Sequence, residues 1–272
     1  TLALAAMLAC AAQAREGGVQ LAQNLRAPSM SEVVVTATRT AQPLSDIVAD
    51  VSVVDRETIE QSGATGLADV LARLPGIEMV RNGGPGTSTS LYLRGGETRY
   101  TAVYIDGVRV DSQAGSGGVA WEAIPLSMID RVEVLRGPAA AVYGSDAVAG
   151  VIQIFTKKGE AGVSPYVGVG VGSHRTWRTE AGVSGASGTV DYALGLARER
   201  SDGFNASTKA GSNPDRDGYA MTSANARLGL QMNAAHRLEG TWLYSDSNSG
   251  YDTSKADDRS LRRLQALGLA WQ

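Results

Sequence analysis

The chain has 272 residues and a formal net charge of −3, which leaves no electrostatic footprint for nucleic acid. Aromatic residues are 6% of it, with 2 Phe against 33 Gly. That is too little bulky apolar material for a large soluble core and too much Gly for long helices; it suits short strands, tight turns and a thin-walled barrel. No stretch approaches the ~18 continuous apolar residues of a membrane helix.

Residues 1–14, TLALAAMLACAAQA, read as the apolar part of a secretory signal, and the start at Thr1 rather than Met marks that signal as partial. Ala12-Gln13-Ala14 supplies the small-x-small cleavage site before Arg15. Cys10, the single cysteine, leaves with that segment, so no disulfide or thiolate chemistry is expected of the mature chain. Residues 15–39 form a polar lead-in, with Gly17, Gly18 and Pro28, that ends in the β-branched run Glu32-Val33-Val34-Val35-Thr36-Ala37-Thr38. Such a run has high strand propensity and no obvious partner of its own, and can add to the edge of another protein's sheet.

Residues 40–158 read as an α+β domain. Val51 to Val54 is a strand, Asp55 caps a first helix, and Thr65 or Gly66 precedes a second, Leu67 to Leu74, stopped by Pro75-Gly76. Ile77 to Val80, Leu91 to Gly95 and Val103 to Val108 are extended, with Asp106-Gly107 as a hairpin signal. A strand carrying Arg131 and Glu133, the turn Arg136-Gly137-Pro138, a small-residue segment and the strand Val151 to Thr156 close the domain.

From 159 onward the texture changes to period-2 alternation. Val190, Tyr192, Leu194 and Leu196, then Ala224, Ala226, Leu228 and Leu230, then Leu267, Leu269 and Trp271 alternate with small or polar residues. Weaker strands are predicted over 163–171, 176–184 and 237–245. This is the pattern of a wall with one face to lipid and one to a lumen. Trp177, Tyr192, Trp242, Tyr244 and Trp271 supply candidate interfacial girdles. A soluble β-sandwich is the competing reading. Six strands do not close a barrel around a domain of this size, so the chain is expected to be an N-terminal fragment.

Five motifs stand in order: Leu74-Pro75-Gly76, Leu93-Arg94-Gly95, Tyr104-Ile105-Asp106-Gly107, Arg136-Gly137-Pro138, and YGSDAVAGVI from Tyr143 to Ile152. Together they resemble the plug of TonB-dependent outer-membrane receptors, and the resemblance covers nearly all of residues 32–158. It implies an α+β plug followed by the first strands of an antiparallel membrane β-barrel of the 22-stranded class. It also makes residues 32–38 the TonB box, the strand that pairs with TonB during energised uptake across the bacterial outer membrane. The resemblance implies no enzyme, and Walker, G-x-S-x-G and H-E-x-x-H patterns are absent from the sequence. His174 and His236 read as solvated surface.

Two acidic clusters carry the remaining chemistry. Asn213-Pro214-Asp215-Arg216-Asp217-Gly218 offers oxygen ligands at alternate positions, but the twelfth position is Ala224 rather than Glu, so it is not an EF-hand. Asp246, Asp252, Asp257 and Asp258 lie in the region after 245. Carboxylates converging without a cation repel one another, which favours Ca²⁺, against the alternative of solvated acidic loops. Within the receptor family the chain is most similar to the cobalamin (vitamin B12) transporters, through Arg81-Asn82-Gly83-Gly84, Pro214-Asp215-Arg216-Asp217-Gly218-Tyr219, and Tyr251-Asp252 with Asp257. That similarity implies a Ca²⁺ cluster of Asp215, Asp217, Asp252 and Asp257 in outer loops. It also implies cobalamin contacts from Asn82, Thr87, Ser88, Thr89 and Ser116 on the plug's outer surface. Asn205 stands where the family has an Asp in the first loop, dropping a charge. The partners expected are TonB, cobalamin and outer-membrane lipid with lipopolysaccharide, for a monomer. A ferric-siderophore or haem receptor, and a passive adhesin or structural barrel, are the alternatives.

Overall fold

The structure, a computed structural model, describes residues 34–35, 42–43, 50–112, 117–138, 140–209, 211–252 and 258–271. The signal-like segment, most of the lead-in, Ser116 and Asp257 lie outside them. Of the run 32–38, only Val34–Val35 (β1) is described, as a two-residue strand, and Gln42–Pro43 (β2) is another.

The first domain is built on a mixed five-stranded sheet. Its strands are β3 (Asp50–Asp55), β8 (Ile129–Arg136), β9 (Gly150–Thr156), β6 (Thr101–Ile105) and β7 (Val108–Arg109), in that spatial order. All neighbours are antiparallel except β6 and β9. A separate hairpin joins β4 (Ile77–Arg81) to β5 (Thr89–Leu93). Helix α1 (Arg56–Gln61) starts where Asp55 accepts a 2.8 Å hydrogen bond from the Thr58 amide, a cap worth ~1 kcal/mol. Helix α2 (Leu67–Leu71) is shorter than the sequence predicts. Its last turn tightens, with the Leu74 amide donating to Leu71 O at 3.0 Å, because Pro75 cannot continue it. A short helix, α3 (Ala140–Tyr143), fills the small-residue segment.

The Asp106-Gly107 signal is a two-residue turn with positive φ at both positions (46° and 81°), the geometry that Gly and Asp tolerate best. Strands β8 and β9 are buried on both faces rather than alternating, as central strands covered from both sides are. Leu67, Leu71, Leu93, Ile129, Ile152 and Ile154, with Trp121 from a one-turn 3-10 helix, form the apolar core. Glu133 sits in β8, fully buried, and is paired with Arg131 at 3.0 Å.

The second region is a six-stranded antiparallel sheet in chain order: β10 (Gly162–Gly172), β11 (Thr176–Ser187), β12 (Val190–Phe204), β13 (Asp217–Asn233), β14 (His236–Tyr251) and β15 (Asp258–Trp271). The register aligns lipid-type side chains in rows. Val183, Leu194, Ala226, Trp242 and Leu267 form one; Ser187, Val190, Leu230, Leu238 and Trp271 form another. The opposite face is buried and polar, with Asp191, Glu199, Ser223, Arg227, Glu239 and Ser245 facing the first domain. The strands run longer than the alternation predicted, because their upper halves are polar on both faces.

The two regions meet through a few apolar contacts, the ion pair of Arg262 with Glu122 at 3.7 Å, and a buried charge network. Leu243 of β14 joins the first domain's core, with Leu264 and Ala266 packed beside it. Arg227 of β13, 4% exposed at its side chain, donates to Asp106 at 2.7 Å and to Glu239 at 2.5 Å. Asp106 in turn accepts from the Thr156 amide at 3.0 Å and its hydroxyl at 2.6 Å. The 106–107 turn is thereby fastened to the wall.

Candidate metal centre and plug apex

Gly172, Thr176, Phe204, Asp217, Tyr251 and Asp258 end their strands at one end of the sheet, because antiparallel strands return there, and the described residues beyond them there are 173–175, 205–209, 211–216 and 252. Those before Asp217 and after Tyr251 bring acids together. Asp215, Asp217 and Asp252 each place a carboxylate oxygen so that the three lie within 4.8 Å of one another. Asp217 opens β13, is 4% exposed, and accepts from the Ala206 amide at 2.9 Å, which ties the two ends of the 205–216 connection. Asp215 Oδ1 and Asp252 Oδ2 are buried without a hydrogen-bond partner. Desolvation, then the repulsion of Asp217, Asp215 and Asp258, pushes the Asp252 carboxyl above its ordinary value.

Three converging acids with orphaned oxygens fit a hard divalent cation of the Ca²⁺ type, which takes oxygen ligands alone. Asp257 lies outside the described residues. Asn205 uses its side-chain oxygen on the Ser207 amide at 3.0 Å, closing its own turn.

The plug loop between β4 and β5 lies against this centre. Phe204 packs on Gly84 and Ala206 on Gly83, where an added Cβ would come within 3.3 and 3.4 Å of them. At Gly86, φ is +85° and a Cβ would stand 2.5 Å from the Tyr219 ring, so only glycine lets the loop and Tyr219 approach this closely. The Tyr219 hydroxyl donates to Glu199 on β12. Tyr219, two residues from Asp217, thus touches the plug loop and the neighbouring strand at once. Sequence reasoning marked Tyr219 only as part of a motif and passed over Phe204 and Ala206, whose contacts are non-local.

Asn82 is exposed at the loop's tip and Ser88 is half-buried. Thr87 and Thr89 do not line the outer surface as expected: they are 2% and 5% exposed. Their hydroxyls are spent inside the loop, Thr87 donating to Gly84 O at 2.7 Å and Thr89 to Thr87 O at 2.9 Å. Arg81 donates to Thr89 Oγ1 at 3.1 Å and pairs with Asp69 at 2.9 Å. Arg99 pairs with Glu97 at 2.8 Å, so both arginines near the apex are matched by acids.

Residues 43–151 match the family model of the TonB-dependent receptor plug domain. The vitamin B12 transporter BtuB of Photobacterium profundum is 37% identical over 223 residues, covering 82% of this chain and 36% of that protein. BtuB of Vibrio vulnificus is 45% identical over 141 residues, covering 52% of this chain and 23% of that protein. The chain thus spans about a third or less of the length of these relatives. The ferripyoverdine receptor of Pseudomonas aeruginosa shares the fold, with a TM-score of 0.67 and 21% identity over 82% of this chain and 28% of that one. No helix among the described residues is long and apolar enough to cross a membrane, and the wall is of the type that crosses with strands. The chain belongs to the TonB-dependent outer-membrane receptors, carrying their plug domain and six antiparallel strands of their barrel.

Proposed function

We propose that the receptor containing this chain takes up a cobalamin across the outer membrane, coupled to TonB. The observation that carries this reading is the acidic centre pressed against the plug loop, in a chain 36–45% identical to vitamin B12 transporters over the matched residues. Asp215, Asp217 and Asp252, with Asp257, would hold Ca²⁺ and so fix the outer connections. Asn82, Ser88 and Ser116 would offer hydrogen bonds to an amide-fringed ligand. Thr87 and Thr89 would act by shaping that loop. The acid-matched arginines at the apex suit a ligand that is neutral overall better than an anionic iron complex.

In this reading residues 15–39 are the lead-in, 32–38 pair with TonB, 40–158 are the plug, and the wall begins at 159. The plug blocks the lumen until a pull on the coupling strand loosens it; no bond in the ligand changes. The test is equilibrium binding of cyanocobalamin to the purified full-length receptor, with and without calcium. Saturable, calcium-strengthened binding that weakens in Asn82→Ala and loses its calcium response in Asp215→Ala/Asp217→Ala is expected. No binding at micromolar ligand with calcium present would move the receptor to the siderophore class. Val34→Pro should spare binding and abolish energised uptake.

A further inference from the structure

The plug loop that carries Asn82 and Ser88 takes part of its shape from outside the plug. It runs over 82–88 between β4 and β5 and has glycine at 83, 84 and 86, so its backbone has wide freedom. Bonds of its own close its base, Asn82 N–H to Ser88 O at 3.1 Å, and its turn, Thr87 N–H to Gly84 O at 3.2 Å. One side of it opens on a cavity of about 40 Å³, room for a few waters, lined by Arg81, Pro85, Gly86, Thr89, Glu122 and Tyr219. Glu122 Oε2 is buried without a hydrogen-bond partner, so this cavity is polar and gives the loop no packed support.

The firm support is Tyr219. A Cβ at Gly86 would come to 2.5 Å from its ring, against 3.3 Å from Phe204 at Gly84 and 3.4 Å from Ala206 at Gly83, so Gly86 is where loop and wall press hardest. Tyr219 is held at both ends. Its backbone pairs with Ser201 of β12 and Ser249 of β14, and its hydroxyl donates to Glu199, which is buried and stands opposite Arg178 of β11. A ring with two rotatable bonds, fixed at both ends, is a rigid seat that costs little entropy to order.

We propose that Tyr219 is a positioning residue for ligand binding: its ring seats the plug loop at Gly86 and so holds Asn82 and Ser88 in place for the ligand. The proposal rests on the reading that this loop meets the ligand. The test uses the full-length receptor with Tyr219→Phe, Tyr219→Ala, Gly86→Ala and the last two combined. Amide exchange at 82–88 is followed without ligand, which judges the seat apart from the ligand's identity, and cyanocobalamin affinity is measured beside it. Tyr219→Ala and Gly86→Ala should each speed that exchange and weaken binding by about tenfold, with exchange in α2 and β14 unchanged. Gly86 lies on the plug, outside the acidic motif, so its effect does not pass through a metal ion. Tyr219→Phe keeps the ring and should restore most of the protection, which a general loss of fold does not predict. The combined variant should fall well short of the product of the two single effects, because both remove one contact. Unchanged exchange at 82–88 in the two single variants overturns the proposal, as does a combined effect equal to that product. Faster exchange with unaltered cyanocobalamin affinity also overturns it, since the loop is then seated to no purpose. Failure of the unaltered receptor to bind cyanocobalamin defeats the cobalamin reading, while the exchange arm still decides the seat.

Discussion

The plug and the wall bury opposite kinds of residue. In the plug, the side chains with almost no exposure are Leu67, Leu71, Leu93, Met128, Ile152 and Ile154. In the wall, the most buried include Ser245, Ser249, Ser223, Arg227 and Asp217, while Val167, Leu267 and Leu269 are 78–81% exposed. The plug must hold its own shape in a polar lumen, so it needs an apolar centre of its own. The wall takes its order from ladder hydrogen bonds and from lipid, so its inner face is free to be polar. Burial alone is thus a poor guide to apolarity here; what matters is which medium lies across each face.

That contrast can be broken most strongly where the two regions are fastened. Arg227→Met leaves Asp106 buried without its cation and Glu239 with Arg237 at 3.4 Å, a loss of about 3–5 kcal/mol. Hydrogen exchange in the full-length receptor should show lost protection at 101–109 and 150–156, with the wall unchanged. Unaltered protection there would mean the charge network does not hold the plug.

Within the plug, Leu71→Ala should cost about 2–5 kcal/mol, since the side chain is fully buried. In the wall, Leu267→Arg puts a charge in the middle apolar row and should cost about 2–4 kcal/mol of folding into bilayers. Chemical denaturation of the receptor in vesicles measures both. A Leu71→Ala loss as small as that of a surface change would contradict an independently organised plug core.

A third change concerns protons. The folded Asp252 carboxyl titrates above its unfolded value near 3.8, so the folded state binds more protons just above that value. Without metal, stability then rises as pH falls through this window. A cation must displace the proton, so calcium affinity should fall on acidification there, approaching tenfold per pH unit, as one proton is exchanged per ion. Calcium titrations followed by calorimetry between pH 7 and 4 test this, and Asp252→Asn should flatten the profile.

The smallest effect is expected at Thr89→Val. It removes a buried hydroxyl that links Arg81 to the Thr87 carbonyl, and should cost about 1 kcal/mol. The loop should loosen, read as faster exchange at 82–88.

Much of this architecture was legible in the sequence. The Asp55 cap, the Asp106-Gly107 turn, the Pro75 stop and the six wall strands are local signals, each with a physical cause acting over a few residues. The upper halves of the wall strands were not legible. Residues 198–204, 217–223 and 246–251 are polar on both faces, one toward the plug and one above the lipid, so alternation fades. At the candidate site, the convergence of Asp215, Asp217 and Asp252 follows the motif. The burial of Thr87 and Thr89 was hidden, because their hydroxyls are satisfied within their own loop and nothing in composition signals that. The contacts of Phe204 and Tyr219 with Gly84 and Gly86 cross more than a hundred residues of chain and leave no local trace.

The fastening of the 106–107 turn also decides how the plug responds to force. An apolar seam resists separation over a short distance and then fails, because exposing its area is one concerted loss. A seam of discrete bonds such as those of Arg227 with Asp106 and of Asp106 with Thr156 fails differently. Water follows the moving side chains and replaces each partner in turn, so the work of displacement is divided into small steps. The same steps run backward when the load is removed. A domain held this way can be tugged and reseated repeatedly without unfolding its centre.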